Sequence, residues 1–151
     1  MEVIMKGYFL LLFIGISCFL LFSSSALAHC EIPCGIYDDE MRIKMIAEHI
    51  DTIEKSMKQI VAIENGKKPN SNQLIRWVMN KEQHADMLQK IVTQYFMTQR
   101  IQINTKNYDK KLELLHQMLV VAMKCKQTTE LSNVSKLKDL LKSFNSLYFD
   151  K

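Results

Sequence analysis

Residues 41–61 read MRIKMIAEHIDTIEKSMKQIV, and the spacing of the apolar side chains in that run decides the fold class. Met41, Met45, Ile46, Ile50, Ile53, Met57, Ile60 and Val61 recur at intervals of three and four, which gathers them on one stripe of an α-helix. Asp38 or Asp39 can cap the start of that helix, and Asn65-Gly66 stops it.

The same pattern repeats towards the C-terminus. Lys67-Lys68-Pro69-Asn70 reads as a loop, and a second helix runs from about Ser71 through Leu74, Trp77, Val78, Ala85, Leu88, Ile91, Val92 and Tyr95 to end near Arg100. A polar stretch over residues 104–107 precedes a third helix carrying Leu112, Leu115, Leu119, Ala122 and Met123. Residues 128–133 break the pattern, and a last helix holds Val134, Leu137, Leu140, Leu141, Phe144 and Leu147. Strand signals are almost absent. Four amphipathic helices with short connections make an all-α, antiparallel four-helix bundle over residues 38–151 the expected fold. Most methionines fall at helical spacing and fill the core. Cys125 reads as a buried thiol, His49 and His116 as structural or solvent-facing residues, and Lys136, Lys138 and Lys142 as a solvated face.

Residues 1–28 do not belong to that pattern. Lys6 gives a modest positive start, residues 8–22 are an apolar run, and Ser23-Ser24-Ser25 leads to Ala26-Leu27-Ala28, an A-x-A cleavage arrangement. The segment reads as a signal peptide removed by a processing peptidase, which makes the mature protein an exported one, periplasmic or secreted, beginning at His29. An apolar run of roughly 15 residues falls short of the roughly 20 that span a bilayer core. The leader contains one acid (Glu2) and one base (Lys6), so the formal charge of +4 carries over to the mature chain. That balance suits attraction of a small anion and is far from a nucleic-acid footprint. Of four cysteines, Cys18 leaves with the leader; Cys30, Cys34 and Cys125 remain, an odd number and a poor disulfide framework.

The first nine mature residues, His29-Cys30-Glu31-Ile32-Pro33-Cys34-Gly35-Ile36-Tyr37, stand outside the helical logic. Pro33 and Gly35 oppose a helix and favour a compact turn. Cleavage after Ala28 would free an α-amine on a residue that also carries an imidazole, with two soft thiolates close behind. The amine, the Cys30 backbone nitrogen and the Cys30 and Cys34 sulfurs can form a planar chelate of two nitrogens and two sulfurs. Tetragonal donors of this kind suit Ni(II) or Cu(II), whereas zinc prefers a tetrahedron. The His29 imidazole is left as an axial ligand.

The run HCEIPCGIY resembles the nickel-hook motif of the nickel superoxide dismutases, H-C-x-x-P-C-G-x-Y. Lys81-Glu82-Gln83 and Gln94-Tyr95-Phe96 look like that family's K-E-Q segment and its second site tyrosine. The resemblance implies one nickel ion per subunit, held equatorially by the His29 amine, the Cys30 amide nitrogen and the Cys30 and Cys34 thiolates, with the His29 ring axial. It implies a cis peptide before Pro33, access to the metal gated by Tyr37 with Tyr95 beside it, and a homohexamer of four-helix bundles. The implied reaction is disproportionation of superoxide to hydrogen peroxide and dioxygen.

Two positions depart from the family's pattern. An arginine that follows K-E-Q in some members, where it helps hold the N-terminal imidazole, is His84 here. A glutamate of the first helix is replaced by Lys44 or Met45. The surroundings that tune the metal-bound histidine therefore differ, with His84 the candidate donor to it. Two other functional classes fit parts of the sequence. A secreted nickel or copper carrier would need only the His/Cys chelate, and an exported interaction protein would need only a Cys30–Cys34 disulfide.

Overall fold

The structure, a computed structural model, describes residues 35–68 and 70–149. The expected signal peptide, His29, Cys30, Pro33, Cys34 and the peptide bond before Pro33 lie outside the described residues. Those described all belong to one compact unit, Pro33–Lys151.

Four helices and no strand make up the described residues: α1 (Asp39–Glu64), α2 (Ser71–Lys90), α3 (Tyr108–Gln127) and α4 (Leu131–Tyr148). The expected all-helical four-helix fold is what forms. Asp38 caps α1, its Oδ1 accepting from the Met41 amide at 2.9 Å, and Asp39 and Glu40 add negative charge at the positive end of the helix dipole. Asn70 caps α2 in the same way, through the Gln73 amide. Asn104 and Asn107, in the polar loop before α3, take positive φ values of 68° and 61°, a conformation asparagine tolerates better than most residues. The last helix starts at Leu131, earlier than the sequence pattern suggests.

Ile46, Ile50, Ile53, Met57 and Ile60 form the buried stripe of α1. Met41 does not join it. Five residues before Ile46 puts it roughly 140° round the helix, and it is 52 % exposed. Met123 and Val61 are exposed as well, while Met118, Val121 and Cys125 complete the buried face of α3. Val78 is exposed together with Ile75 and Met79 in the first turns of α2.

Contacts between polar side chains fix the helix directions. Asp39 at the start of α1 meets Tyr148 at the end of α4, and Lys138 of α4 pairs with Asp51 and Glu54 of α1. Asn80 of α2 donates to Ser56 of α1, and Gln89 donates to the Leu119 carbonyl of α3. Each neighbouring pair is antiparallel, and α4 closes the ring against α1. Lys138 thus does more than sit on a solvated face. No helix among the described residues is long and apolar enough to cross a membrane.

One departure from the expected helices shapes the site. The second helix reaches Arg100 as its pattern suggests, but residues Ile91–Arg100 are wound as a π-helix. The Ile101 amide donates to the Phe96 carbonyl at 2.9 Å, an i to i−5 backbone bond. Two side chains reach back five residues as well, Thr98 Oγ1 donating to the Thr93 carbonyl at 2.8 Å and Gln99 Nε2 to that of Gln94 at 2.9 Å. Apolar periodicity at three and four cannot reveal such a change of winding.

Candidate active site

The chain enters the described region at Gly35, whose φ of +74° is a left-handed conformation that glycine adopts without steric cost. Two residues later Tyr37 is partly exposed, at 43 %. Its ring meets the edge of Tyr95, centroid to centroid 6.0 Å and 74° between planes. The two tyrosines singled out from the sequence are therefore brought together. Tyr95 itself is buried and continues into an aromatic stack with Phe96, Phe144 and Tyr148.

Beneath the tyrosine pair lies one carboxylate. Asp39 Oδ1 accepts from Tyr95 Oη at 2.6 Å and from Arg100 Nε at 2.8 Å; Oδ2 accepts from Arg100 Nη2 at 2.8 Å and from Tyr148 Oη at 2.8 Å. Four donors from two helices thus converge on the first residue of a third. The Arg100 guanidinium also lies 4.3 Å from the Tyr37 ring centroid, and that of Arg42 lies 5.0 Å from the Tyr95 ring. The charges of Asp39 and Arg100 pair off within the cluster, and Arg42 stands as a further cation at the Tyr95 ring.

The π-winding explains why Tyr95 and Arg100 can share Asp39. Residues five apart on an α-helix point roughly 140° away from each other. When the helix turns with i to i+5 bonding, residues 95 and 100 stack on one face.

Burial by itself would raise the Asp39 pKa, but the Arg100 pair and the two phenol donors outweigh it and hold the carboxyl below its ordinary value. Tyr95 and Tyr148 are pushed the other way, each to about 12, first by burial and then by donating to a carboxylate that resists a second negative charge. The Asp39 hydrogen bond moves Arg100 further into its charged form. Near neutral pH the cluster is one anion, one paired cation and two neutral phenols.

His84 lies in α2 and its Nδ1 is 3.0 Å from Nδ1 of His49 in α1, a contact that needs one proton between the two rings. Burial, and then the charge of His84, lower the His49 pKa. The expected donation from His84 to the His29 imidazole involves a residue outside the described region. His49, expected to be structural, is structural in a specific sense: it fixes the His84 ring. Lys81 of the K-E-Q segment is buried, with its ammonium donating to the Lys126 and Thr128 carbonyls at the end of α3. It closes a helix C-terminus rather than facing the tyrosines.

Among the described residues no three His, Cys, Asp or Glu side chains gather as a metal site. Cys125 is buried, and burial pushes its thiol to about 11, which opposes the thiolate a metal needs. By donor chemistry the candidate set is the one in residues 29–34: an amine, an amide nitrogen, an imidazole and two thiolates. Asp39, Arg42, Arg100 and Tyr148 are the members of the cluster that sequence reasoning did not find. An acid capping a helix and a basic residue ending another are ordinary features, and nothing local links them.

A family model described as nickel-containing superoxide dismutase matches residues 24–151. No curated protein sequence and no solved structure matches significantly.

Proposed function

The chain belongs to the nickel-containing superoxide dismutases, and from that membership we propose how its N-terminal segment and tyrosine cluster share the work. The enzyme disproportionates superoxide to hydrogen peroxide and dioxygen and carries nickel as its cofactor. Two superoxide ions and two protons give one molecule of each product. Nickel supplies the electron transfer, passing between its trivalent and divalent states. No observation favours the carrier reading.

In the proposed assignment the His29 amine, the Cys30 amide nitrogen, the Cys30 and Cys34 thiolates and the His29 imidazole hold one nickel per chain. The donor set is soft and electron-rich, which suits a metal that must be oxidised within reach of superoxide. A processing peptidase creates the amine by cutting after Ala28, and the enzyme acts after export, in the periplasm or outside the cell. Pro33 and Gly35 shape the turn that lets both thiolates converge. His84, whose Nδ1 is engaged by His49, keeps its other ring nitrogen for the His29 imidazole.

Tyr37 follows Cys34 by three residues, and its contact with Tyr95 at 6.0 Å is the observation that carries this reading. The pair controls what reaches the metal, excluding larger molecules and bulk water while superoxide passes. Arg42, beside the Tyr95 ring, favours the approach of an anion. Ile75, Val78 and Met79, at spacings of three and four and all exposed, supply an apolar face suited to contact between subunits, in keeping with a homohexamer.

Metal content and intact mass, measured on protein purified from its native compartment, test the assignment. One nickel on a chain beginning at His29 is the expected result. Full nickel loading on a chain that keeps its leader would overturn it, because the α-amine would then be an amide. A metal-free chain beginning at His29, two protons lighter than the dithiol, would favour a Cys30–Cys34 disulfide instead.

A further inference from the structure

We propose that the Asp39–Arg100 ion pair is a positioning device for Tyr37, fixing the orientation of its ring against Tyr95. The inference rests on the reading of Tyr37 as the residue controlling access to nickel. Tyr37 precedes the first helix, is partly exposed, and has two ring neighbours here: the Tyr95 edge and the Arg100 guanidinium. An exposed ring on irregular backbone has several rotamers open to it, and a face-on cation selects one only if the cation is itself immobile. Arg100 meets that condition. Both of its Asp39 contacts are 2.8 Å long and engage both carboxylate oxygens, which locks the guanidinium plane.

The carboxylate is held in turn by the phenols of Tyr95 and Tyr148. Orientation thus passes from α4 and the π-helical segment, through Asp39 and Arg100, to a ring three residues from Cys34. The same geometry argues against Arg100 acting chiefly as an anion-binding cation. Its fork is spent on Asp39, and the adjacent carboxylate cancels most of its charge at longer range. Arg42 has no carboxylate partner among the described residues, and it is the better source of attraction.

Positioning and attraction predict opposite results for two substitutions. Arg100→Lys keeps the charge but loses the planar fork and the stacking face. Asp39→Asn raises the net positive charge but loses the charged clamp. The experiment uses the mature nickel-loaded enzyme with 3-fluorotyrosine at position 37, followed by ¹⁹F NMR alongside superoxide turnover. In both variants the fluorine resonance should sharpen and move to the position of an unconstrained tyrosine, and kcat/KM should fall about tenfold. Tyr148→Phe should shift the resonance part of the way. An unchanged resonance in Arg100→Lys and Asp39→Asn, with helical circular dichroism intact, would overturn the proposal. So would faster turnover in Asp39→Asn at low salt with the resonance in place, since that is the signature of attraction alone. If Asp39→Asn fails to fold, Arg100→Lys, which leaves the carboxylate both phenol donors, carries the same test. A released ring with unchanged turnover would support the clamp and count against Tyr37 as the control of access.

Discussion

Tyr95 and Arg100 reach the same oxygen of Asp39, at 2.6 Å and 2.8 Å, although five residues of one helix separate them. Only the π-helical winding of Ile91–Arg100 allows this, because it brings residues five apart onto one face. A local change of helix type is therefore what joins a buried phenol and a guanidinium on a single carboxylate. Such segments recur at functional sites, and here the segment lies beside Tyr37.

Tyr95→Phe removes one donor from Asp39 while keeping the aromatic stack. A hydrogen bond to a charged group contributes about 1.5–3 kcal/mol, so stability to urea should fall by about 2 kcal/mol. Equilibrium unfolding of the mature chain measures it. A loss under about 0.5 kcal/mol would mean that water takes over the phenol's place.

Stability should fall at both ends of the pH scale. Tyr95 and Tyr148 hold their protons to about 12 in the fold and to about 10 when unfolded. Their contribution is complete below about 10 and is lost as pH rises towards 12, where the unfolded chain has already released those protons. On the acid side His49 has a lowered pKa, so its contribution is present above its unfolded value and fades as pH falls below about 6.5. Asp39, also lowered, adds a second loss below about 4. Thermal unfolding across pH reads all three. Tyr95→Phe should flatten the alkaline limb, and an unchanged limb would contradict the assignment.

Replacing Cys30 or Cys34 by serine should abolish nickel binding and dismutation while leaving the helical circular dichroism of the bundle in place. Cys30 and Cys34 precede the first helix in the sequence, and its buried stripe is formed by Ile46, Ile50, Ile53, Met57 and Ile60. Retained nickel, read by plasma mass spectrometry, would remove those thiolates from the site.

Lys81→Met should destabilise the bundle by about 1–3 kcal/mol, because the Lys126 and Thr128 carbonyls lose their buried donor. Nickel content and the rate per nickel should not change. A selective loss of activity in a fully stable variant would place Lys81 in the reaction rather than in the fold.

By itself the sequence determined what depends on neighbours in the chain. The stripe of Ile46, Ile50, Ile53 and Met57, a helix cap at Asp38 or Asp39 and the polar loop over residues 104–107 are legible within a few positions, and so is the soft-donor chemistry from which the proposed nickel site is argued. Helix-forming patterns and chelate rings are local, and local chemistry can be read directly. Tertiary structure decided the rest. Asp39 meets Tyr95, Arg100 and Tyr148 across separations of 56, 61 and 109 residues, and His84 finds His49 across 35. Those meetings depend on the directions of packed helices and on one stretch of altered winding. Neither leaves a mark on the three-four spacing of apolar side chains, because that spacing records which face is buried and not which polar groups the burial brings together.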